Sequence, residues 1–139
     1  MNTVVLSPSI SKITYSYFTG ESRQSRVQVS NRGAFTDPVA LGEVLDRATA
    51  DGCALGGGID VVALRVPYGG GVFGGPVLAG PDAMQELDKL ACQAPLHLPI
   101  CRMLVEELHR RLPASPVTLS FETTFFVTLP AREHLYGLE

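Results

Sequence analysis

The 139-residue chain is long enough for one modest hydrophobic core, and a single domain over 1–139 is expected. Its net charge of −3 argues against a nucleic-acid binder, and no apolar run approaches the roughly 18 residues of a membrane span. Charged residues make up 18%, below the usual figure of about 25%, so an apolar face that needs a partner is expected. The 14 glycines and 10 prolines are clustered rather than periodic, which excludes collagen-like and low-complexity chains. Basic residues lean forward: residues 1–36 hold Lys12, Arg23, Arg26 and Arg32 against Glu21, a weakly anion-friendly front end, while the remainder carries −6. The start, MNTVVLSPS, has neither a basic segment nor a long apolar one, so no signal peptide is expected. Cys53, Cys92 and Cys101 form no even framework and no CxxC, and a reducing cytoplasm fits them best.

In chain order, Thr3–Leu6 reads as a short strand ended by Ser7-Pro8-Ser9. Ile13–Phe18 is β-branched and aromatic and predicts a second strand. After the turn Thr19–Ser22, Arg26–Ser30 alternates as a third, in an antiparallel meander. Asp37-Pro38 combines a capping side chain with proline at the first helical position. Leu41, Val44, Leu45 and Ala48 then recur at helical spacing, and Gly52 is expected to end that helix. Ile59–Val66 is nearly continuously apolar, the pattern of a central strand covered on both faces. The loop Pro67–Pro76 is glycine-rich, with no Walker A or GxGxxG pattern. Helices follow over Asp82–Ala91 and from Pro99, then a strand Val117–Phe121 and a last helical turn over residues 131–138. The order βββ-α-β-α-α-β predicts an α/β fold, a mixed sheet with helices on its faces.

Ligands of α/β proteins sit where strand ends face a crevice, and three such places stand out. The Ser7–Ser11 turn offers hydroxyls and backbone N–H groups to phosphate oxygens, or is an ordinary polar hairpin. Arg65 ends the central strand beside the glycine loop; it either binds an anion or pairs with a carboxylate. Glu122, followed by Thr123 and Thr124, could hold Mg²⁺, orient another group or simply cap the strand. His97 lies between two prolines, where a structural role competes with a chemical one. Cys92, His97 and Cys101 lack the paired spacing of a zinc site.

Together these segments resemble the acetokinase family of acetate, propionate and butyrate kinases. Ala94–Pro99 (APLHLP), the helix after it, VTLSFETTFFVTLP and HLYGL are similar to the family pattern APLHNP, helix, VxVFDTAFHxTMP and YLYALP. Leu64–Gly70 (LRVPYGG) is similar to HRVVHGG, and VVLSPSISKITYSYF resembles the phosphate-binding opening VLVINxGSSSLKYxLF more weakly. Separations of 32 residues from Arg65 to His97 and 25 from His97 to Glu122 also fit the pattern. The resemblance implies the ribonuclease-H-like fold of the acetate and sugar kinase, Hsp70 and actin superfamily. It further implies in-line phosphoryl transfer between ATP and a short carboxylate, with Arg65 and His97 at the positions that stabilise the transferring group. Pro67 and Leu96 fall where the family has apolar pocket residues.

The departures bear on activity. Ser7 stands where the family has Asn, Ser9 and Ile10 replace Gly and Ser, Ser11 is kept, Lys12 replaces Ser and Thr14 replaces Lys. Glu122 replaces Asp, Tyr68 replaces the His of HGG and Phe126 the His of DTAFH. Residues two apart on a strand share a face, so Lys12 could serve the face of the family's Lys, displaced by about 7 Å. Family enzymes have two such domains around a cleft, and the second supplies the adenosine site, another Arg and a metal-linked Glu. The resemblance covers only the first, so activity alone is not expected, and Mg²⁺ and ATP enter only if a second domain or partner supplies the nucleotide site. Three roles follow: an inactive domain with a remnant carboxylate or phosphate site, one subunit of a split carboxylate kinase, or a non-catalytic interaction scaffold. Each expects a homodimer or hetero-oligomer, a short-chain carboxylate or acyl phosphate as ligand where the site survives, and neither nucleic acid nor membrane as partner.

Overall fold

The computed structural model describes residues 1–30 and 37–130. Arg32, the HLYGL segment and the helical turn expected over 131–138 lie outside the described residues. Strands β1 (Asn2–Pro8), β2 (Lys12–Thr19) and β3 (Ser22–Ser30) form the expected meander. Helix α1 (Pro38–Gly56) leads to β4 (Val61–Val66), which pairs parallel to β1. A two-residue strand β5 (Val77–Leu78), not expected from the sequence, precedes α2 (Pro81–Leu90) and α3 (Leu98–Arg111). Strand β6 (Val117–Phe121) runs parallel to β4 and continues into a 3-10 turn, Glu122–Phe126. The six strands lie in the order β3-β2-β1-β4-β6-β5.

Register explains the core. Tyr15, Leu6, Leu64 and Leu119 are aligned across four strands, as are Tyr17, Val4, Val62 and Val117. All eight side chains are buried and point to one side of the sheet, as alternation requires. Leu41, Leu45 and Ala48 of α1, Leu87 and Leu90 of α2, and Leu98, Leu104 and Leu108 of α3 join them in one core. Fully burying each aliphatic side chain contributes roughly 1.5–3 kcal/mol.

Two expectations are corrected. Strand β4 is not covered on both faces: Val62, Leu64 and Val66 are fully buried, Val61 and Ala63 only half, and Arg65 is exposed. Among the described residues the helices pack on one face of the sheet, so the opposite face is open. Gly52 does not end α1 either. A Cβ there would lie 3.1 Å from the Tyr17 ring, so this glycine permits a close helix–sheet approach. That packing offsets the roughly 1 kcal/mol cost of a mid-helix glycine. The helix stops at Gly57, whose φ of 106° suits glycine, while Asp37 caps the other end by accepting from the Val39 N–H at 2.9 Å.

Candidate functional site

Because β1, β4 and β6 are parallel, their C-terminal ends reach the same sheet edge. There the register places Arg65 beside Ser120, two residues before Glu122. The Arg65 Nε lies 2.9 Å from Glu122 Oε1. The two side chains are 56% and 41% exposed, so water screens this ion pair and its own stabilisation is modest, about 0.2–1 kcal/mol. Arg65 points to the open face rather than into the core, and so avoids the burial cost that its place in an apolar strand suggested.

The pair stands between two cavities. One, of about 420 Å³, runs over the open face and is lined by Ser7 of β1, Lys12, Thr14 and Ser16 of β2, and Arg23 and Arg26 of β3. The other, of about 380 Å³, is lined by Ser120, Phe121, Phe125 and Phe126. Phe125 is 81% exposed, and its ring meets Phe126 edge-on at 5.3 Å. The corner thus joins a cationic, hydroxyl-rich surface to an aromatic one.

The remaining sequence candidates divide. Ser7 faces Thr14 across the β1–β2 ladder, and both reach the cationic cavity with Lys12. Lys12 and Thr14 do share a face. Ser9 also lines that cavity, but its hydroxyl donates to the Lys12 carbonyl at 3.1 Å, closing the turn as a polar hairpin. Ser11 is exposed and does not line it. His97 lies elsewhere, at the N-terminus of α3, where its carbonyl accepts from the Cys101 N–H at 3.1 Å. It lines a small crevice with Pro8, Ser9 and Pro67, and Pro8 and Ser9 also line the cationic cavity that holds Arg65. Leu96 is 63% exposed and does not line the crevice that Pro67 and His97 share. Tyr68, at a family His position, donates to Gln93 Oε1 at 2.7 Å.

In the glycine loop Gly69 and Gly70 serve packing, whereas a Cβ on Gly71, Gly74 or Gly75 would meet nothing within 4 Å. A Cβ on Gly69 would come within 2.8 Å of the Phe121 ring, which stacks on Phe73 with centroids 4.1 Å apart. The Gly69 N–H donates to Thr123 Oγ1 at 3.0 Å and so ties the loop to the residue after Glu122. Close backbone approach is used here by an aromatic ring. Among the described residues no group of three His, Cys, Asp or Glu is placed to hold a metal ion. Glu122 faces arginine and lysine rather than a second carboxylate, so the corner suits an anion and does not by itself suit Mg²⁺. Sequence reasoning missed Ser16, and it registered Arg23 and Arg26 only as part of a charge excess.

The sequence profile of the Acetokinase family matches residues 12–139. The acetate kinase of Helicobacter pylori is 36% identical over 80 residues, which cover 58% of this chain and 20% of that enzyme. The propionate kinase of Escherichia fergusonii is 35% identical over the same length. This chain's match therefore spans about a fifth of the length of these curated relatives. Among solved structures, the acetate kinase of Entamoeba histolytica superposes with a TM-score of 0.73 at 17% identity, covering 100% of this chain and 39% of that one. The propionate kinase of Francisella tularensis gives 0.75 at 18% identity, covering 99% and 41%. An exopolyphosphatase from Cytophaga hutchinsonii shares the fold more distantly, with a TM-score of 0.52. These likenesses establish the α/β, ribonuclease-H-like fold of the acetate and sugar kinase superfamily. With the family profile matching nearly the whole chain, the protein belongs to the acetokinase family.

Proposed function

We propose that residues 1–139 form one acetokinase-family domain, corresponding to the N-terminal half of the family's enzymes, that does not transfer phosphoryl groups alone and keeps a half-site for a short-chain carboxylate or acyl phosphate. The observation that carries this reading is the exposed Arg65–Glu122 pair at the mouth of a cation-lined cavity. Arg65 supplies the anion contact, Ser7, Lys12 and Thr14 the adjoining polar wall, and Glu122 holds the guanidinium in place. Ser11 lies at the edge of this site. His97 and Pro67 line a neighbouring crevice that shares Pro8 and Ser9 with the cation-lined cavity, and with Leu96 they are the candidate carboxylate-side residues of the half-site. Phosphoryl transfer needs exclusion of water and groups on both sides of the transferring phosphorus. Here one side is open to solvent, and Mg²⁺ and ATP belong to whatever second domain or partner closes it.

Titration calorimetry of the full chain with acetate, propionate, acetyl phosphate and ATP, with and without Mg²⁺, tests the reading. Acetyl phosphate or carboxylate should bind, Arg65→Ala should abolish that binding, and no acyl phosphate should form from ATP and acetate. Turnover by the purified chain would refute inactivity, and unchanged affinity in Arg65→Ala would remove Arg65 from the site.

The uncovered sheet face favours a second reading, in which the chain is one subunit of a split carboxylate kinase. Activity appearing only when a chain carrying the nucleotide half is mixed in would establish it. If no small anion binds while a protein partner does, the domain is an interaction scaffold. All readings place the protein in the cytoplasm as a homodimer or hetero-oligomer, and a monodisperse monomer by light scattering at high concentration would count against that assembly.

A further inference from the structure

The half-site uses Arg65 and Glu122 but leaves two arginines on the neighbouring edge strand without a role. Arg23 and Arg26 are three positions apart, and in a regular strand that spacing sends side chains to opposite faces. Strand β3 is not regular: Ser16 pairs with Arg26 and Tyr17 with Ser25, but Phe18 pairs with Arg23, so the register slips by one residue at Gln24. The bulge returns both arginines to the open face, where they line the same cavity as Lys12 and Arg65.

Four cations thus converge from β2, β3 and β4. The cavity's one carboxylate, Glu122, is already paired with Arg65. Among the described residues Lys12, Arg23 and Arg26 have no ion-pair partner. Thr14 also lines this cavity, and among the described residues its hydroxyl makes no hydrogen bond, leaving it available to a ligand. A local excess of three positive charges persists in a chain whose net charge is −3. Such a concentration of one sign raises the local potential and draws counter-charge. The array is also long. Arg65 and Arg26 stand on strands three spacings apart, about 14 Å. A single small anion at Arg65 leaves the β3 end unengaged.

We propose that the open face binds a condensed phosphate chain carrying three or more negative charges, free or as the tail of a nucleotide, with Arg23 and Arg26 holding the end remote from Arg65. The proposal rests on the half-site above for its Arg65 end and extends it across the sheet to β3.

Calorimetry of the full chain with orthophosphate, acetyl phosphate, tripolyphosphate and ATP tests it, using wild type and the exposed double variant Arg23→Gln/Arg26→Gln. Charge-assisted contacts by two arginines predict that tripolyphosphate binds at least about tenfold tighter than orthophosphate. The double variant should lose about that factor for tripolyphosphate and change acetyl phosphate affinity less than about twofold. The tripolyphosphate preference should shrink in ~0.5 M salt, where screening is strong. ATP binding as tightly as tripolyphosphate supports a nucleotide tail, and much weaker ATP binding supports a free chain. Tripolyphosphate binding no tighter than orthophosphate, or unchanged in the double variant, overturns the proposal. Acetyl phosphate binding that survives that result keeps the half-site reading. Tripolyphosphate binding with no acetyl phosphate binding would sink the half-site reading and keep this one.

Discussion

Gly69→Ala is expected to destabilise the corner that carries Glu122. The added Cβ would lie 2.8 Å from two ring carbons of Phe121 and 3.0 Å from its Cβ, all closer than side chains normally approach. The ring has little room to retreat: Phe121 is 3% exposed and stacks on Phe73 at 4.1 Å. Moving the loop instead would strain the Gly69 N–H to Thr123 Oγ1 bond of 3.0 Å. Overpacking of this kind costs about 1–3 kcal/mol. For a domain of this size that lowers the melting temperature by roughly 4 °C per kcal/mol, or about 4–12 °C. Thermal and urea denaturation followed by circular dichroism measure it, with Gly71→Ala, which meets nothing within 4 Å, as the control. Phe121→Leu provides the relief. If the clash is the cause, the double variant should be less destabilised than the sum of the singles. A Gly69→Ala protein as stable as the Gly71→Ala control would refute the packing argument.

Three other outcomes are expected. Tyr15→Phe removes the phenol that donates to Asp51 Oδ2 and links β2 to α1; a hydrogen bond to a partly buried carboxylate predicts a loss of about 1–2 kcal/mol by urea denaturation, and an unchanged midpoint would argue against the link. Burial pushes the Cys101 thiol up to about 12, whereas Cys53 and Cys92 are exposed, so an aromatic disulfide reagent at neutral pH should label two cysteines quickly and the third only on unfolding. Hydrogen bonds from Arg110 and Arg111 hold the Glu107 carboxyl below its ordinary value. The unfolded chain then takes up this proton at higher pH than the fold, so the stabilisation is complete above the ordinary carboxylate range and is lost as pH falls through the folded value. Glu107→Gln should flatten the acid limb of the stability profile, and an unchanged limb would show that the pair contributes nothing there.

Elements were readable in the sequence wherever a local pattern carried the information. The apolar alternation of β1 and β2, the Asp37-Pro38 start of α1, and the helical spacing of Leu41, Leu45 and Ala48 depend on nearest neighbours, and all lie where expected. Motif spacing likewise marked Arg65 and Glu122, which the parallel pairing of β4 and β6 brings to 2.9 Å. Three features depended on contacts distant in the chain. Gly52 reads locally as a helix stop, yet α1 continues because the Tyr17 ring packs against that glycine. The hydrophobicity of β4 suggested two covered faces, but coverage is set by where the helices pack, and those described pack on one side. Arg23 and Arg26 reach one cavity only through a one-residue slip in a strand pairing. Local chemistry thus determined which residues form strands, helices and caps. The tertiary structure decided which of them share a surface, because register and layer packing are set between segments that no local pattern connects.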